Sequence, residues 1–135
     1  MNDYIVKPGY FYTTGDTWAK EMPDGSVRFG ITDYAQAKLK EIVYLSLPEE
    51  GETVEQNESL GEIESQKTVS PLLSPVSGAV LRINETATDA PQLVNREPFD
   101  GGWILEIRCV NAKEQFENLL DADGYKALLF EKEGK

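Results

Sequence analysis

Histidine is absent from this chain, and cysteine occurs once, at Cys109. Those two facts exclude whole classes of chemistry. No Ser-His-Asp or Cys-His pair can form, and no histidine-ligated zinc. A single thiol also rules out an internal disulfide. Any chemistry has to come from carboxylates, from lysines, or from a group attached to the protein. Basic residues are scarce as well: 13 Lys and Arg stand against 24 Asp and Glu, a formal net charge of −11. Nucleic-acid binding needs clustered cations to neutralise phosphates, so no nucleic-acid partner is expected. The charge favours solubility and encounters with positively charged proteins. No run of about 18 apolar residues is present, so no membrane partner is expected. The opening Met1-Asn2-Asp3-Tyr4-Ile5-Val6-Lys7 lacks an apolar signal region with a basic flank, and the expected location is the cytoplasm.

What remains is 135 residues with ordinary proportions, 40% hydrophobic and 27% charged, long enough to bury a core as one domain, 1–135. Tyr10 to Thr14 is aromatic and β-branched, a strand pattern. Trp18 to Met22 and Ser26 to Ile31 are extended runs around Pro23-Asp24-Gly25, where Pro presets one φ and Gly supplies a positive one; they read as a hairpin. Thr32 is an N-cap with Asp33 in the first turn, opening a short helix near 32–40. Ile42 to Leu47 is a strand stopped by Pro48, and Thr53-Val54 leads into the central stretch. Ala79 to Ile83 is a strand ended by Asn84, and 88–95 forms one or two helical turns with Pro91 near their start. The run 103–110 alternates, putting Trp103, Leu105, Ile107 and Cys109 on one inward face, with Cys109 a buried structural thiol. Asn111 with Glu114 three residues on signals a capped helix through Leu120. Asp121 caps a last helix through Phe130, so C-terminal helices span about 111–131. Many short strands between turn signals predict a mainly β domain with a few helices.

Several local patterns carry no function. Asn57-Glu58-Ser59 and Asn84-Glu85-Thr86 match a glycosylation acceptor, but without a signal region they read as chance matches or turn chemistry. Asp121-Ala122-Asp123-Gly124 places its glycine fourth, where a calcium loop needs it sixth. Glu49-Glu50 and Glu62/Glu64 have no apolar surroundings to raise a pKa and read as solvated faces.

The chain is organised instead around Gly61 to Gly78, two extended runs folded about a turn with Lys67 near its tip. Ile63, Val69, Leu72 and Val76 are expected to pack inward, and Glu62, Glu64, Gln66 and Ser70 to face solvent. Gly51 lies sixteen residues before Lys67 and Gly78 eleven after it. That layout suits a flattened β-barrel/sandwich hybrid in which the lysine crowns one hairpin. A tight turn there lifts one amine clear of the domain, where an enzyme can acylate it and a long attached group can swing.

Here the chain resembles the glycine cleavage system H proteins, lipoyl carriers of the biotinyl/lipoyl-domain superfamily. The residues are Gly30-Ile31-Thr32-Asp33-Tyr34-Ala35-Gln36, Ile42-Val43-Tyr44 leading to Leu47-Pro48, Gly61-Glu62-Ile63-Glu64-Ser65-Gln66-Lys67 and Ser74-Pro75-Val76-Ser77-Gly78. Leu93-Val94-Asn95, Pro98-Phe99, Gly102-Trp103 and Leu119 to Tyr125 follow in family order. A biotin carrier would have Met flanking the lysine; here the flanks are Gln66 and Thr68. The resemblance implies a lipoyl-domain-type fold and lipoate in amide linkage on Lys67, with Glu64 and Ser65 as flanking recognition residues. It implies a carrier without catalysis of its own, moving an aminomethyl group from glycine decarboxylase to aminomethyltransferase. Reoxidation would be by dihydrolipoyl dehydrogenase, and a lipoate ligase or lipoyltransferase would load the arm.

Two positions depart from the family pattern. Thr17 and Pro71 stand where it has carboxylates that help hold the loaded arm in a cleft. Asp16 could supply one of them from the neighbouring position. An H-like carrier serving lipoate relay or another lipoate-dependent complex is therefore an alternative, as is an unmodified scaffold.

Overall fold

The computed structural model describes residues 4–133; Met1, Asn2 and Asp3 and the last two residues of the 1–135 span lie outside the described residues. Fourteen elements follow in order. β1 (Phe11–Tyr12), β2 (Thr17–Glu21) and β3 (Val27–Ile31) lead to α1 (Asp33–Leu39) and β4 (Ile42–Ser46). β5 (Thr53–Val54), β6 (Ser59–Ser65), β7 (Val69–Leu73) and β8 (Gly78–Ile83) make the middle. The chain ends with α2 (Glu85–Asp89), α3 (Gln92–Arg96), β9 (Leu105–Arg108), α4 (Ala112–Phe116) and α5 (Ala122–Glu133).

The strands form two sheets, ordered β1-β2-β3-β9-β8-β5 and β4-β6-β7. The mainly β expectation holds, as two open sheets rather than a closed barrel. Alternation explains the core between them: Val27, Phe29 and Ile31 of β3 meet Leu105 and Ile107 of β9, with Leu45, Ile63, Leu72 and Val76 from the smaller sheet's side. A second cluster joins Tyr12, Trp18, Phe99, Tyr125 and Leu129, clamping α5 to the β1–β2 end. Trp18 is fully buried and its indole N–H donates to the Pro98 carbonyl at 2.9 Å.

The expected hairpin at Pro23-Asp24-Gly25 forms in full register, from Thr17 opposite Ile31 to Glu21 opposite Val27. Thr32 caps α1, its hydroxyl accepting from the Ala35 N–H. Asp121 accepts from the Gly124 N–H at the start of α5. Two expectations about the helix after Asn111 need correction. Asn111 does not cap α4 through its side chain; its Oδ1 accepts from the Gln115 amide instead. That helix stops at Phe116 rather than Leu120, because Leu120 exchanges two backbone hydrogen bonds with Tyr12 and so has to be extended. Asn84 ends its strand as expected but does more. Its Oδ1 accepts from the Ala87 N–H to cap α2, and its amide donates to the Gly101 and Trp103 carbonyls.

On the last strand, Leu105 and Ile107 are buried as expected, but β9 is shorter than 103–110. Trp103 and Cys109 fall outside it and are half-buried. Cys109 Sγ accepts from the Gln115 amide at 3.2 Å, and desolvation pushes the thiol pKa up, which suits a structural thiol. Glu106 is the unforeseen member of this strand, its carboxylate buried between Arg28 and Arg82 on the flanking strands. Glu106→Gln keeps the shape but sets an amide against two guanidinium groups. Because both arginines are partly exposed, the expected loss is about 2 kcal/mol rather than the larger cost of a fully buried pair, read as a lower urea midpoint at unchanged m.

Candidate functional site

β6 and β7 form the hairpin that the glycine spacing suggested, with residues 66–68 at its tip. The glycines have separate reasons. Gly51 sits at φ +92 in the turn before β5, its N–H donating to the Val80 carbonyl. Gly78 starts β8 where a Cβ would collide with the Arg108 carbonyl of β9. Since β5 pairs with β8 through Val54 and Gly78, both glycines fix the hairpin's base.

The turn itself is built by Ser65. Its N–H donates to the Thr68 carbonyl at 2.8 Å, and its hydroxyl accepts from the Thr68 N–H at 3.1 Å and the Lys67 N–H at 3.3 Å. Ser65 is 5% exposed, so its hydroxyl belongs to the turn's interior. A serine two residues before the lysine is a recognised turn signal, and this role could have been read from the sequence. The Gln66 N–H donates to the Glu41 carbonyl at 3.1 Å, tying the tip to the start of β4. Being a backbone contact, it leaves no trace in the sequence. The start of β4 is itself pinned by Asn95, which accepts from the Ile42 N–H and donates to the Lys40 carbonyl.

Lys67 is exposed on this braced turn, and its ammonium enters no hydrogen bond or ion pair among the described residues. A braced backbone with an unengaged amine fits a group joined by an amide bond. Glu64 and Glu62 face solvent on β6, as expected. Ile63, Leu72 and Val76 are buried, but Val69 is 53% exposed and Ser70 is the residue that turns inward. The reason is the period of a strand: positions 69 and 72 differ in parity and cannot both face the core. With Ser70 opposite Ile63 and Leu72 opposite Gly61, Val69 must point out beside Glu64.

A cleft of about 140 Å³ runs beneath the hairpin, between β7 and the β1–β2 turn, lined by Gly15, Asp16, Thr17, Tyr34, Ser70 and Pro71 among others. Its carboxylate chemistry is settled by contacts from elsewhere. Thr17 is buried and its hydroxyl pairs with that of Thr13 at 2.7 Å. Asp16 takes a positive φ of 68 and so leaves the strand's alternation. Its carboxylate accepts from the Tyr125 hydroxyl at 2.9 Å and pairs with Lys132 at 3.1 Å. Thr32 shares a hydrogen bond with that hydroxyl at 2.7 Å, and burial, helped by the Asp16 charge, pushes the Tyr125 pKa far up. The one carboxylate beside the cleft is therefore engaged by α5, a connection no local pattern announced.

The family model described as glycine cleavage H-protein matches residues 10–132. A probable glycine cleavage system H protein of Pyrococcus abyssi is 43% identical over 129 residues, covering 96% of each chain. A glycine cleavage system H protein of Mycolicibacterium vanbaalenii is 44% identical over 118 residues, covering 86% of this chain and 90% of its own. The crystal structure of a glycine cleavage system H protein from Mycobacterium marinum superposes with a TM-score of 0.82 at 35% identity, covering 96% of this chain and all of that one. On a match spanning nearly its whole length, in sequence and in fold, the chain belongs to the glycine cleavage H-protein family.

Proposed function

We propose that Lys67 is the attachment point of a lipoyl group and that the chain works as the swinging-arm carrier of glycine cleavage. The carrier role in that system follows from family membership. The observation that supports Lys67 is its setting: an exposed, unpartnered amine on a turn held by Ser65 and by the Glu41 carbonyl. When attached, the group supplies a dithiolane disulfide that accepts and releases an aminomethyl unit. The chain's own residues do the rest. Ser65 fixes the backbone that presents Nζ, so the turn keeps one shape as the arm moves. Glu64, and Glu62 beside it, offer carboxylates to positively charged partners. Family membership makes the protein a carrier component of that system, and in this reading the chain supplies the attachment amine, reach and recognition while the chemistry on glycine belongs to its partners. The partners are glycine decarboxylase, aminomethyltransferase and dihydrolipoyl dehydrogenase, with a lipoate ligase or lipoyltransferase to load the arm, all in the cytoplasm.

Incubation with a lipoate ligase, ATP and lipoate is expected to add one lipoyl mass, mapping to the peptide holding Lys67. A chain that stays at its unmodified mass sinks the reading. The loaded protein is then supplied to glycine decarboxylase, and bicarbonate exchange into the glycine carboxyl is followed. A second reading, an H-like carrier for lipoate relay or another lipoate-dependent complex, is favoured by one observation. The cleft has Thr17 and Pro71 where carboxylates belong, and Asp16 is held by Tyr125 and Lys132. Full loading without exchange selects this second reading.

A further inference from the structure

An enzyme that acylates Lys67 has to bring its reacting centre to Nζ itself, so it must rest on surface within a few residues of the turn. Enzymes working at the far end of a long attached arm are under no such constraint. The surface beside the turn is the outer face of the β4-β6-β7 sheet, and its register makes an unusual row. Tyr44 lies opposite Glu64, and Glu64 opposite Val69; the next row is Ser46, Glu62 and Pro71. Directly opposed side chains in a sheet stand about 5 Å apart, so Tyr44, Glu64 and Val69 form one strip about 10 Å wide. The core needs nothing from this face, since Ile42, Leu45, Ile63 and Leu72 fill the other one. Yet of the six large hydrophobic residues exposed among the described ones, three are here: Val43 at the bulge of β4, Tyr44 at 59% and Val69 at 53%. Ile5, Val110 and Phe130, the other three, belong to none of these strands. Neither Glu62 nor Glu64 makes a side-chain hydrogen bond or ion pair among the described residues, so both carboxylates are free to meet cations.

We propose that this sheet face is the docking surface for the lipoate-attaching enzyme. Tyr44 and Val69 seat in an apolar recess of that enzyme, and Glu62 and Glu64 meet Lys or Arg side chains around its rim. Apolar anchors flanked by complementary charge are what a small specific interface needs. The proposal rests on Lys67 being the attachment point. In the docked state Nζ loses a proton and attacks the carbonyl carbon of a lipoyl adenylate. The C–N bond forms, the bond to the phosphate oxygen breaks, AMP departs, and the nitrogen gives up a second proton.

The test measures acylation rates by intact mass with a lipoate ligase, ATP and lipoate. The double variant Tyr44→Ser/Val69→Ser is expected to lose about tenfold or more in kcat/KM, chiefly through KM, because exposed anchors serve binding and not chemistry. Glu62→Lys, which leaves the apolar strip intact, is expected to fall by a similar factor, whereas Val110→Ser should match wild type. Long incubation then loads the double variant fully, and its turnover by dihydrolipoyl dehydrogenase should equal that of wild type. If wild type takes no adduct, the attachment reading falls and this proposal with it. If wild type is modified and both variants keep pace within about twofold, the docking surface alone is wrong. Equal loss in the dehydrogenase assay also overturns the proposal, assigning the face to enzymes that act on the arm.

Discussion

Lys67→Arg is expected to leave the chain as stable as wild type and unable to take up lipoate at all. Arginine keeps the positive charge, the length and the exposure of the side chain. What it removes is the nucleophile: a guanidinium stays protonated at any working pH, whereas a lysine ammonium can give up a proton and acylate. Because Lys67 Nζ contributes no hydrogen bond or ion pair to the described fold, nothing structural is lost. Surface changes of this kind stay within about 0.5 kcal/mol, so thermal unfolding should shift by no more than a couple of degrees. The mass adduct should vanish, and with it all exchange with glycine decarboxylase. The paired readouts matter. Loss of the adduct together with a large fall in stability would mean that the variant had damaged the turn. An adduct surviving on the arginine variant would move the attachment to another lysine and end the present assignment.

How far the sequence carried this site depends on the kind of contact involved. Motifs of fixed spacing led to Lys67, and local chemistry led to the Thr32 cap, the Asp121 cap and the hairpin at Gly25, because each lies within a few residues of its partner. Val69 faces outward, not inward as its apolar side chain suggests, and its parity against Leu72 is enough to show it. Asn111 has the composition of a capping residue, but Gln115 takes its side chain; identity names the candidates in such a contest and geometry chooses. Asp16 was legible only as a carboxylate near a gap in the family pattern. That Tyr125 and Lys132 hold it depends on α5 folding back across more than 100 positions of chain, and no periodicity reports that. Glu106 was hidden for the same reason: its two arginines stand on different strands, and only the register brings them together.

Gly61→Ala is expected to be the most destabilising single methyl that this hairpin can receive. A Cβ at residue 61 would fall onto the carbonyl oxygen of Ser46, with the Ser46 carbonyl carbon at 3.2 Å and the Leu47 Cα at 3.5 Å. All three are backbone atoms of β4 or its exit, so no side chain can rotate away. Relief requires β4 to move off β6, and that opens the Leu45–Ile63 contact at the centre of the smaller sheet. Overpacking against backbone costs at the upper end of the usual range, about 3 kcal/mol, or roughly 10 °C in Tm for a domain of this size. Gly51→Ala supplies the contrast. Its Cβ would meet nothing within 4 Å, and only the positive φ opposes it, so about 1 kcal/mol is expected. The functional consequence separates the two further. Moving β4 also moves the Glu41 carbonyl that holds the Gln66 N–H and the Tyr44 beside Glu64. Gly61→Ala should therefore slow acylation of Lys67 at temperatures where the chain is still folded, and Gly51→Ala should not. Equal Tm values for the two variants would show that β4 and β6 do not approach this closely, and the braced turn would lose its explanation.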